Sequence, residues 1–548
     1  MMDCQVLIRK GSKKLHFCLL ATIIFIFAII MRLLPLSGHG VNFDQIQILQ
    51  AAHSIIDGHL TLIGPRTGPA AMFTGPLIYY LAVPLLLVFG DLSVIVILPL
   101  FIALVTGIVI VAVSQKYLGF KQALILLSLW AASPLIINLD HTLWNPNLTL
   151  LASFLVFWPL YTGKQDTFVK ISLFIGSFLG YQAHFTGLLL PILATLILVW
   201  RRRFQMLTFV WLGFLISFLP TIIFDLKHGW LNFSGLLALL SNKTTFSWHH
   251  LLTNLVHNFA IIAEMAGSLL FHGTNAQTSK IIGLFLICSC LCALRHHKEV
   301  KLIYIWLLTI TGSFAFYDGA KPEYYFMIAF PPLLVLWQLI LNKLSTSKIL
   351  VALIFVVCNS IFVNNHVQVA KTGFNVQTLY QIQTYLQKQT LKNIIYDTEF
   401  GSDFGAHYFF DQLPSSTDGK TIHVSYPNTY RWSGVHHFGD VGLWSDFRTD
   451  DCNYYFEDNY VLQFDKDCEF FFIRTTKDRN HYDDEYVLAC HREVLGTAKV
   501  SYWTGKMEDE HSEYLENCLT TNCPVSKTNY WLYLELETPE ATLSAAIY

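Results

Sequence analysis

Residues 15–45 read LHFCLLATIIFIFAIIMRLLPLSGHGVNFDQ, an apolar run followed by a short polar segment. A helix needs about 20 mostly apolar residues to cross a bilayer, because backbone amides in hydrocarbon must hydrogen-bond within their own segment. Residues 15–36 meet this requirement. The run has no small-residue cleavage pattern and ends in Met31-Arg32, so we expect a membrane anchor and not a removed signal peptide.

Runs of the same kind recur over the first 365 residues. Hydrophobic residues make up 53% of the 548-residue chain and charged residues only 14%, against roughly 25% charged in ordinary globular proteins. This composition excludes a disordered chain and a cytosolic enzyme. Residues 171–200 are too long for one crossing and polar at their middle, so we interpret them as two short helices. We predict about eleven transmembrane helices, from runs at 15–36, 92–114, 122–138, 147–161, 171–200, 205–223, 281–294, 302–317, 324–341 and 349–364.

The charge of the chain changes sign after these runs. Residues 1–365 contain 22 Lys and Arg and 11 Asp and Glu, whereas residues 366–548 contain 14 and 27. Sixteen of the 22 basic residues fall on the side of the N-terminus, provided that the apolar stretches 76–90 and 252–271 lie at the surface. Short cytoplasmic loops are rich in basic residues. We therefore predict a cytoplasmic N-terminus, a transmembrane domain over 1–365 and an extracytoplasmic domain over 366–548.

The predicted extracytoplasmic domain has the pattern of a folded α+β domain. Apolar residues recur at helical spacing over 375–389, and residues 392–397 and 469–473 are typical of strands. The domain shows no catalytic motif. It contains five cysteines, so one thiol is left over, and the short Cys518 to Cys523 loop is the first candidate for a disulfide.

Asp44 is the leading candidate for a catalytic residue. The predicted inner loops are short and basic, so we expect the chemistry on the outer face. Asp44 follows the first helix directly, and a carboxylate at the membrane surface has a raised pKa and is a stronger base. The alternative is that Asp44 only caps a helix over 45–57.

Two further outer segments carry polar residues close to the membrane. Asp140 is a candidate second carboxylate that binds the acceptor or positions a cation, with His141 beside it. The alternative is that this loop is a turn opening the next helix, with Trp144 as an interfacial anchor. His184 lies at the polar middle of 171–200, where it either faces substrate or joins two helices.

Basic residues in the outer loops are candidates for binding an anion. The Arg66 guanidinium can donate hydrogen bonds to two oxygens of one phosphate. Lys321 lies at the predicted start of an outer helix, where backbone N–H groups can also bind an anion. No nucleotide-binding loop and no HExxH motif occur, and Cys288, Cys290 and Cys292 alternate along a predicted helix. The sequence therefore assigns no cofactor, and binding of a divalent cation stays an open alternative. The candidate substrate-binding residues are Asp140, His141, His184, Arg66, Asp225, Lys227, His228, Lys321 and Tyr324.

The outer-loop motifs, in this order, resemble those of GT-C glycosyltransferases of the family 39 kind. This family includes protein O-mannosyltransferases and bacterial lipid A aminoarabinose transferases. The resemblance covers roughly residues 15–365. Gln45 stands where the family commonly has the second residue of an acidic pair, and Thr74-Gly75-Pro76 stands where it often has Lys-Pro-Pro. The motifs are Arg32 and Pro35, Asp44 and Gly58, Phe73 to Tyr80, Asp140, and Pro220 to Gly229.

The resemblance implies a polytopic α-helical enzyme of the bacterial inner membrane that acts in glycosylation of the cell envelope. It implies transfer of a hexose or pentose from a polyprenyl-phosphate donor to a glycolipid, glycan or protein acceptor on the extracytoplasmic face. Asp44 would be the base, with inversion at the sugar, and Arg66, Lys227 or Lys321 would replace the missing lysine. Membrane lipids are expected partners and nucleic acid is not.

Other functions share this topology. A lipid-linked glycan polymerase or ligase uses the same kind of carrier, and a non-catalytic assembly protein would dock partners through its outer domain. A lipid or glycan transporter predicts charged residues at the middle of several helices, and often internal repeats. Here the predicted helices are almost free of charge and the polar residues collect at the outer edge, which favours the transferase.

Overall fold

The structure, a computed structural model, divides into two compact units, Met1–Lys371 and Thr372–Tyr548. It describes residues 2–67, 72–241, 248–271, 276–294, 298–317, 319–345, 349, 354, 356–361, 374–398, 404–426, 436–445, 454–456, 462–464, 468–478, 481–490, 493–503, 532–537 and 542–547.

The first unit is built of helices. They are α1 (Met2–Leu33), α2 (Phe43–Ile56), α3 (Leu77–Phe89), α4 (Asp91–Leu118), α5 (Phe120–Ala131), α6 (Pro134–Asp140), α7 (Asn147–Thr162), α8 (Thr167–Ala183), α9 (Leu189–Trp200), α10 (Leu207–Lys227), α11 (Leu231–Ser241), α12 (Trp248–Phe271), α13 (Ala276–Leu294), α14 (Lys298–Phe314) and α15 (Phe330–Leu341). Short 3-10 segments lie at Leu36–Gly38, Phe185–Leu188, Phe204–Met206 and Glu323–Ala329.

The run at 171–200 is broken as predicted. Helix α8 ends at Ala183, and His184 is fully extended, with φ −162° and ψ 157°. The chain then re-enters the bundle as α9. The two arms pass so close that a Cβ on Gly187 would overlap the Gly180 carbonyl. The break therefore places polar residues at one end of the bundle.

Five helical segments of the described chain are long and apolar enough to cross a membrane, or six if α5 and α6, bent by 58°, form one span. The chain is therefore an integral membrane protein. Helix α12 is one of the five, whereas the sequence pattern placed 252–271 at the surface. One acidic residue, Glu264, does not prevent a 24-residue helix from being apolar enough to cross. The count of eleven and the side of each terminus stay predictions.

The core of the first unit is aromatic and aliphatic. Trp130, Trp158 and Trp306 are fully buried, and the Phe157 and Trp306 rings meet edge to face with centroids 5.4 Å apart. Apolar residues on the outside of α10, such as Leu215, are exposed, as expected of a face that meets lipid.

The second unit is an α+β domain, as predicted. Helix α16 (Val376–Leu386) and the Asn375 side chain that caps it confirm the helical spacing over 375–389. Strands β1 (Leu391–Thr398) and β2 (Lys420–Tyr426) pair in parallel around α17 (Phe404–Phe410), and β4 (Val441–Ser445) and β3 (His436–Phe438) complete a sheet of order β1-β2-β4-β3.

A second, antiparallel sheet follows in the same unit. Its strands are β7 (Cys468–Asp478), β8 (His481–Cys490), β9 (Glu493–Trp503), β10 (Leu532–Glu537) and β11 (Thr542–Ile547), in the order β11-β10-β9-β8-β7. The short strands β5 (Tyr454–Phe456) and β6 (Leu462–Phe464) pair with each other. The predicted disulfide between Cys518 and Cys523 lies outside the described residues.

Candidate active site

Asp44 lies in the first turn of α2. The N-cap of this helix is Asn42, whose backbone N–H donates to Oε1 of Gln45 over 2.7 Å. Asp44 is exposed, and among the residues that the structure describes it has neither a hydrogen-bond partner nor a basic partner. The helix is therefore capped without Asp44, and this carboxylate is available to a substrate.

Two tyrosines from other elements approach Asp44. The carboxylate is open to solvent on one side, but protein packed around it partly desolvates it and raises its pKa above the ordinary value of 3.8. Tyr79 on α3 is buried, and this burial and the charge of Asp44 raise the pKa of its hydroxyl. The charge of Asp44 also acts on Tyr324, in the 3-10 segment before α15. Within the described residues no cation lies against Asp44, so its carboxylate has the properties that a general base requires.

Aromatic rings line the same region. The ring centroids of Trp144 and Tyr324 are 4.6 Å apart, and those of His184 and Tyr324 are 5.5 Å apart. Flat aromatic faces beside a carboxylate suit a sugar, whose C–H face packs on rings while its hydroxyls hydrogen-bond. We call these five residues the carboxylate cluster: Asp44, Tyr79, Trp144, His184 and Tyr324.

His184 is a neutral member of this cluster. It is buried, and burial lowers the pKa of its ring well below the ordinary value. Its Nδ1 accepts a hydrogen bond from the Thr186 backbone N–H over 3.3 Å. A neutral ring that accepts at Nδ1 carries its proton on Nε2. His184 can therefore donate a hydrogen bond to a hydroxyl, but it does not supply positive charge for a phosphate.

Gln45 connects α2, the helix that carries Asp44, to the segment between α6 and α7. Its side chain is 1% exposed, and Nε2 donates to the Leu143 carbonyl over 2.7 Å while Oε1 accepts from Asn42. Both ends of the amide are therefore used. This explains why an amide, and not a second carboxylate, stands next to Asp44.

Replacing Gln45 by Glu is expected to destabilise the protein above the pKa of the new carboxyl. An ionised carboxylate cannot donate to the Leu143 carbonyl and would lie unpaired in a buried site, at a cost of about 3 kcal/mol. Burial raises the pKa of this carboxyl, so the lost stability should return as pH falls and the protonated group donates again. Thermal unfolding of the detergent-solubilised protein at several pH values measures this effect. Gln50→Glu, at an exposed position of α2, is the control, and equal unfolding temperatures of the two variants would contradict the assignment.

A buried ion pair lies at the end of α1. Nε of Arg32 donates to Oδ2 of Asp140 over 2.7 Å, and the side chains are 0% and 6% exposed. The ring of His39 is 4.6 Å from that of His141, and Nε2 of His39 hydrogen-bonds to the Arg32 carbonyl over 3.0 Å. The guanidinium also donates to the carbonyls of Ala28, Trp130 and Ala131. Asp140 and His141 thus lie in a buried cluster, and their contact with substrate stays a prediction.

The described residues 64–67 and 72–77 lead into α3, and the term 64–77 loop refers to these two stretches only. Backbone hydrogen bonds join Gly64 to Thr74 and Thr67 to Met72, each over 2.8 Å, so the two arms of the loop run antiparallel. Arg66 pairs through its backbone with Phe73. The Arg66 side chain is exposed and has no partner in the described part of the chain. It is therefore free to bind an anion.

The end of α10 supplies a second basic group beside this loop. Asp225 accepts hydrogen bonds from the backbone N–H groups of Asn232 and Phe233, so it caps α11. Asn232 in turn accepts from the Phe73 N–H over 2.6 Å, which joins α11 to the loop. Lys227 is exposed two residues beyond Asp225.

The predicted site residues therefore fall into three groups. Asp44, His184 and Tyr324 come together in the carboxylate cluster, with Lys321 half-buried three residues before Tyr324. A basic group, Arg66, Lys227 and His228, lies around the 64–77 loop, where the His228 ring stacks on Phe224. Asp140, His141 and Asp225 are held by structural hydrogen bonds or packing. In the described residues no three His, Cys, Asp or Glu side chains gather as a metal site.

Comparison with known proteins identifies the fold. No protein-family model and no curated protein matches the sequence. The structure of ArnT from Cupriavidus metallidurans bound to undecaprenyl phosphate is similar, with a TM-score of 0.50 and 12% identity over 79% of this chain and 98% of ArnT. The apo structure of ArnT gives the same score and identity, over 80% of this chain and 98% of ArnT. The fold is ArnT-like. ArnT is a GT-C enzyme, so the predicted GT-C-like fold is confirmed.

In this ArnT-like fold, several polar residues that sequence reasoning passed over hold the site together. They are Gln45, Asn145, Tyr181 and Gln182, each of which hydrogen-bonds to another segment of the first unit. The available signal was their position. Tyr181 and Gln182 lie just before the break in 171–200, where unpaired polar groups are costly. A hydrogen-bond partner was therefore to be expected for each of them.

Proposed function

We propose that this chain is an integral-membrane glycosyltransferase that moves a sugar from a polyprenyl-phosphate donor to an acceptor on the extracytoplasmic face. The observation that carries the proposal is the exposed carboxylate of Asp44, which has no partner within the described residues and whose charge acts on Tyr79 and Tyr324, in an ArnT-like fold. The ArnT structure that supports it contains undecaprenyl phosphate.

Asp44 acts as the general base. It takes the proton of an acceptor hydroxyl as that oxygen attacks the anomeric carbon of the donor. The bond between this carbon and the phosphate oxygen breaks, and the electron pair leaves with the carrier phosphate. Attack from the face opposite the phosphate inverts the anomeric configuration. Trp144 and Tyr324 hold the sugar ring during transfer, and the Nε2–H of His184 donates to one of its hydroxyls.

Arg66 and Lys227 neutralise the carrier phosphate. Both side chains are exposed. Arg66 pairs with Phe73, which hydrogen-bonds to Asn232, and Asn232 donates to Asp225 two residues before Lys227. Negative charge grows on the phosphate as the sugar leaves, and basic groups stabilise that charge more in the transition state than before it.

Removing either basic side chain is expected to weaken use of the donor. Arg66→Ala and Lys227→Ala should each lower kcat/KM for the polyprenyl-phosphate sugar about tenfold, because each loses a charge-assisted hydrogen bond. The measurement is transfer of radiolabelled sugar by the purified chain in lipid nanodiscs. Lys121→Ala, an exposed lysine of α5, is the matched control. Unchanged kinetics of both variants would remove these residues from the phosphate site.

Mass analysis of glycolipids and glycoproteins from cells with and without the gene tests the function itself. Loss of a single sugar from one acceptor supports a transferase. Loss of whole oligosaccharide chains would point to a polymerase or ligase of lipid-linked glycans. Unchanged glycans would overturn the proposal.

A further inference from the structure

Gln182 joins three segments of the first unit. It lies in the last turn of α8, two residues before His184, and is 3% exposed. Its Oε1 accepts a hydrogen bond from the backbone N–H of Leu77 over 3.0 Å. Its Nε2 donates to the Ser217 carbonyl on α10 over 3.0 Å and to the Ser217 hydroxyl over 3.2 Å. One buried amide thus connects α8 and α10 to the first residue of α3.

The amide of Gln182 occupies the space beside Gly75. A Cβ built on Gly75 would overlap the Oε1, Cδ and Nε2 atoms of Gln182. A side chain at position 75 would therefore force the amide of Gln182 away from its present position. The absence of a Cβ lets the backbone of the loop lie directly on the amide.

Two neighbouring side chains hold the same stretch of the loop. The Tyr181 hydroxyl lies 3.3 Å from the Phe73 carbonyl and 2.8 Å from the Thr221 hydroxyl. Nδ2 of Asn145 donates to the Ala183 carbonyl and lies 3.4 Å from the Thr74 hydroxyl. Gln182 differs from Tyr181 and Asn145 in that it accepts its hydrogen bond from Leu77, the first residue of α3.

The position of the loop decides the position of two groups in the proposed site. Tyr79 follows Leu77 by two residues on α3 and approaches Asp44, while Arg66 pairs with Phe73 in the same loop. A shift of the loop would therefore move a phosphate-binding group and a neighbour of the base at once. A displacement of about 1 Å is enough to cost a large factor in an enzyme.

We propose that Gln182 is a positioning residue that fixes the 64–77 loop in the geometry that binds the polyprenyl phosphate carrier. It acts through the loop and does not touch the substrate. This role rests on the proposed function, since it presupposes that the loop holds a lipid-linked phosphate.

The experiment measures binding of undecaprenyl phosphate to the full-length chain in nanodiscs. Gln182→Leu keeps the size of the side chain and removes both hydrogen-bonding ends, and we expect about tenfold weaker binding. Gly75→Ala pushes a methyl group against the amide and should weaken binding similarly. Gln182→Ala is measured as well, and the double variant Gly75→Ala/Gln182→Ala should bind no more weakly than the weaker of Gly75→Ala and Gln182→Ala, because both changes disturb the same contact.

The controls separate positioning from simple loss of stability. Gln338→Leu removes another buried glutamine, on α15, and should leave binding unchanged in the folded protein. Binding is compared only for protein that elutes as a folded species, and Gly75→Ala carries the test where Gln182→Leu does not fold. Wild-type binding that persists in both variants would overturn the positioning role alone. Failure of the wild-type chain to bind undecaprenyl phosphate would overturn the proposed function and this role with it.

Discussion

Asp44→Asn is expected to lower sugar transfer by about 10² to 10⁴-fold, the range that a positioned general base contributes. The amide has nearly the same shape but cannot take the proton from an acceptor hydroxyl. The folded protein should be unharmed. The carboxylate is partly desolvated and has no partner in the described chain. It therefore makes no stabilising interaction that the change to asparagine would remove.

The measurement combines transfer kinetics with thermal unfolding of the same preparations. Asp57→Asn, at the exposed C-terminal end of α2, is the matched control and should behave as the wild type in both. Asp44→Asn should unfold at the wild-type temperature or slightly above it. Normal transfer by Asp44→Asn at normal abundance would refute the role of this residue as the base.

The pH dependence of transfer follows from the same carboxylate. The base must be ionised to act, and desolvation raises its pKa above 3.8. Activity should therefore decline on acidification at a higher pH than an ordinary aspartate would allow, and the Asp57→Asn control should decline at the same pH as the wild type.

Breaking the buried pair of Arg32 and Asp140 is expected to have the largest effect on stability. Asp140→Leu leaves a fully buried guanidinium without its counter-ion, which costs about 3–5 kcal/mol, a large part of the stability of a typical domain. Replacing both partners, in Arg32→Met/Asp140→Leu, removes the uncompensated charge. The double variant should therefore contain more folded protein than Asp140→Leu alone.

Folded yield and unfolding temperature in detergent test this expectation. Lys116→Met breaks the pair of Lys116 and Asp166, which has the same 2.7 Å distance but is exposed, so little change is expected. Wild-type stability of Asp140→Leu would contradict the buried-pair assignment. Transfer by the double variant then decides the role of Asp140. Recovered activity would show that Asp140 acts only as the partner of Arg32. A folded but inactive protein would support the predicted contact of Asp140 with the acceptor or a cation.

Much of the fold could be predicted because helix formation in a membrane protein depends on local properties. The apolar length of residues 15–36, the polar interruption of 171–200 and the helical spacing over 375–389 each lie within one segment. Each of these predictions is confirmed by a described helix. The segment 252–271 was ambiguous in the sequence because it contains Glu264, and the 24-residue helix α12 that includes it is long and apolar enough to cross a membrane.

The candidate site was predicted only in part. Asp44, His184 and Tyr324 were candidates because polar residues close to the apolar runs are few, and the structure places them in one region. The different environments of Asp44 and Asp140 could not be found in this way. Both are aspartates close to the ends of apolar helices, but the packing of α1 against α6 gives Asp140 a cation, whereas Asp44 has none among the residues that the structure describes.

By itself, the sequence determined the membrane class, the break in the run at 171–200 and the α+β character of the second unit, because hydrophobic length and periodicity are properties of contiguous residues. Only the tertiary structure decided which polar groups meet. Arg32 and Asp140 are 108 residues apart, Leu77 and Gln182 are 105 apart, and Gln45 and Leu143 are 98 apart. Apolar helices can pack in many arrangements of similar composition, so these pairings follow from how the helices actually pack.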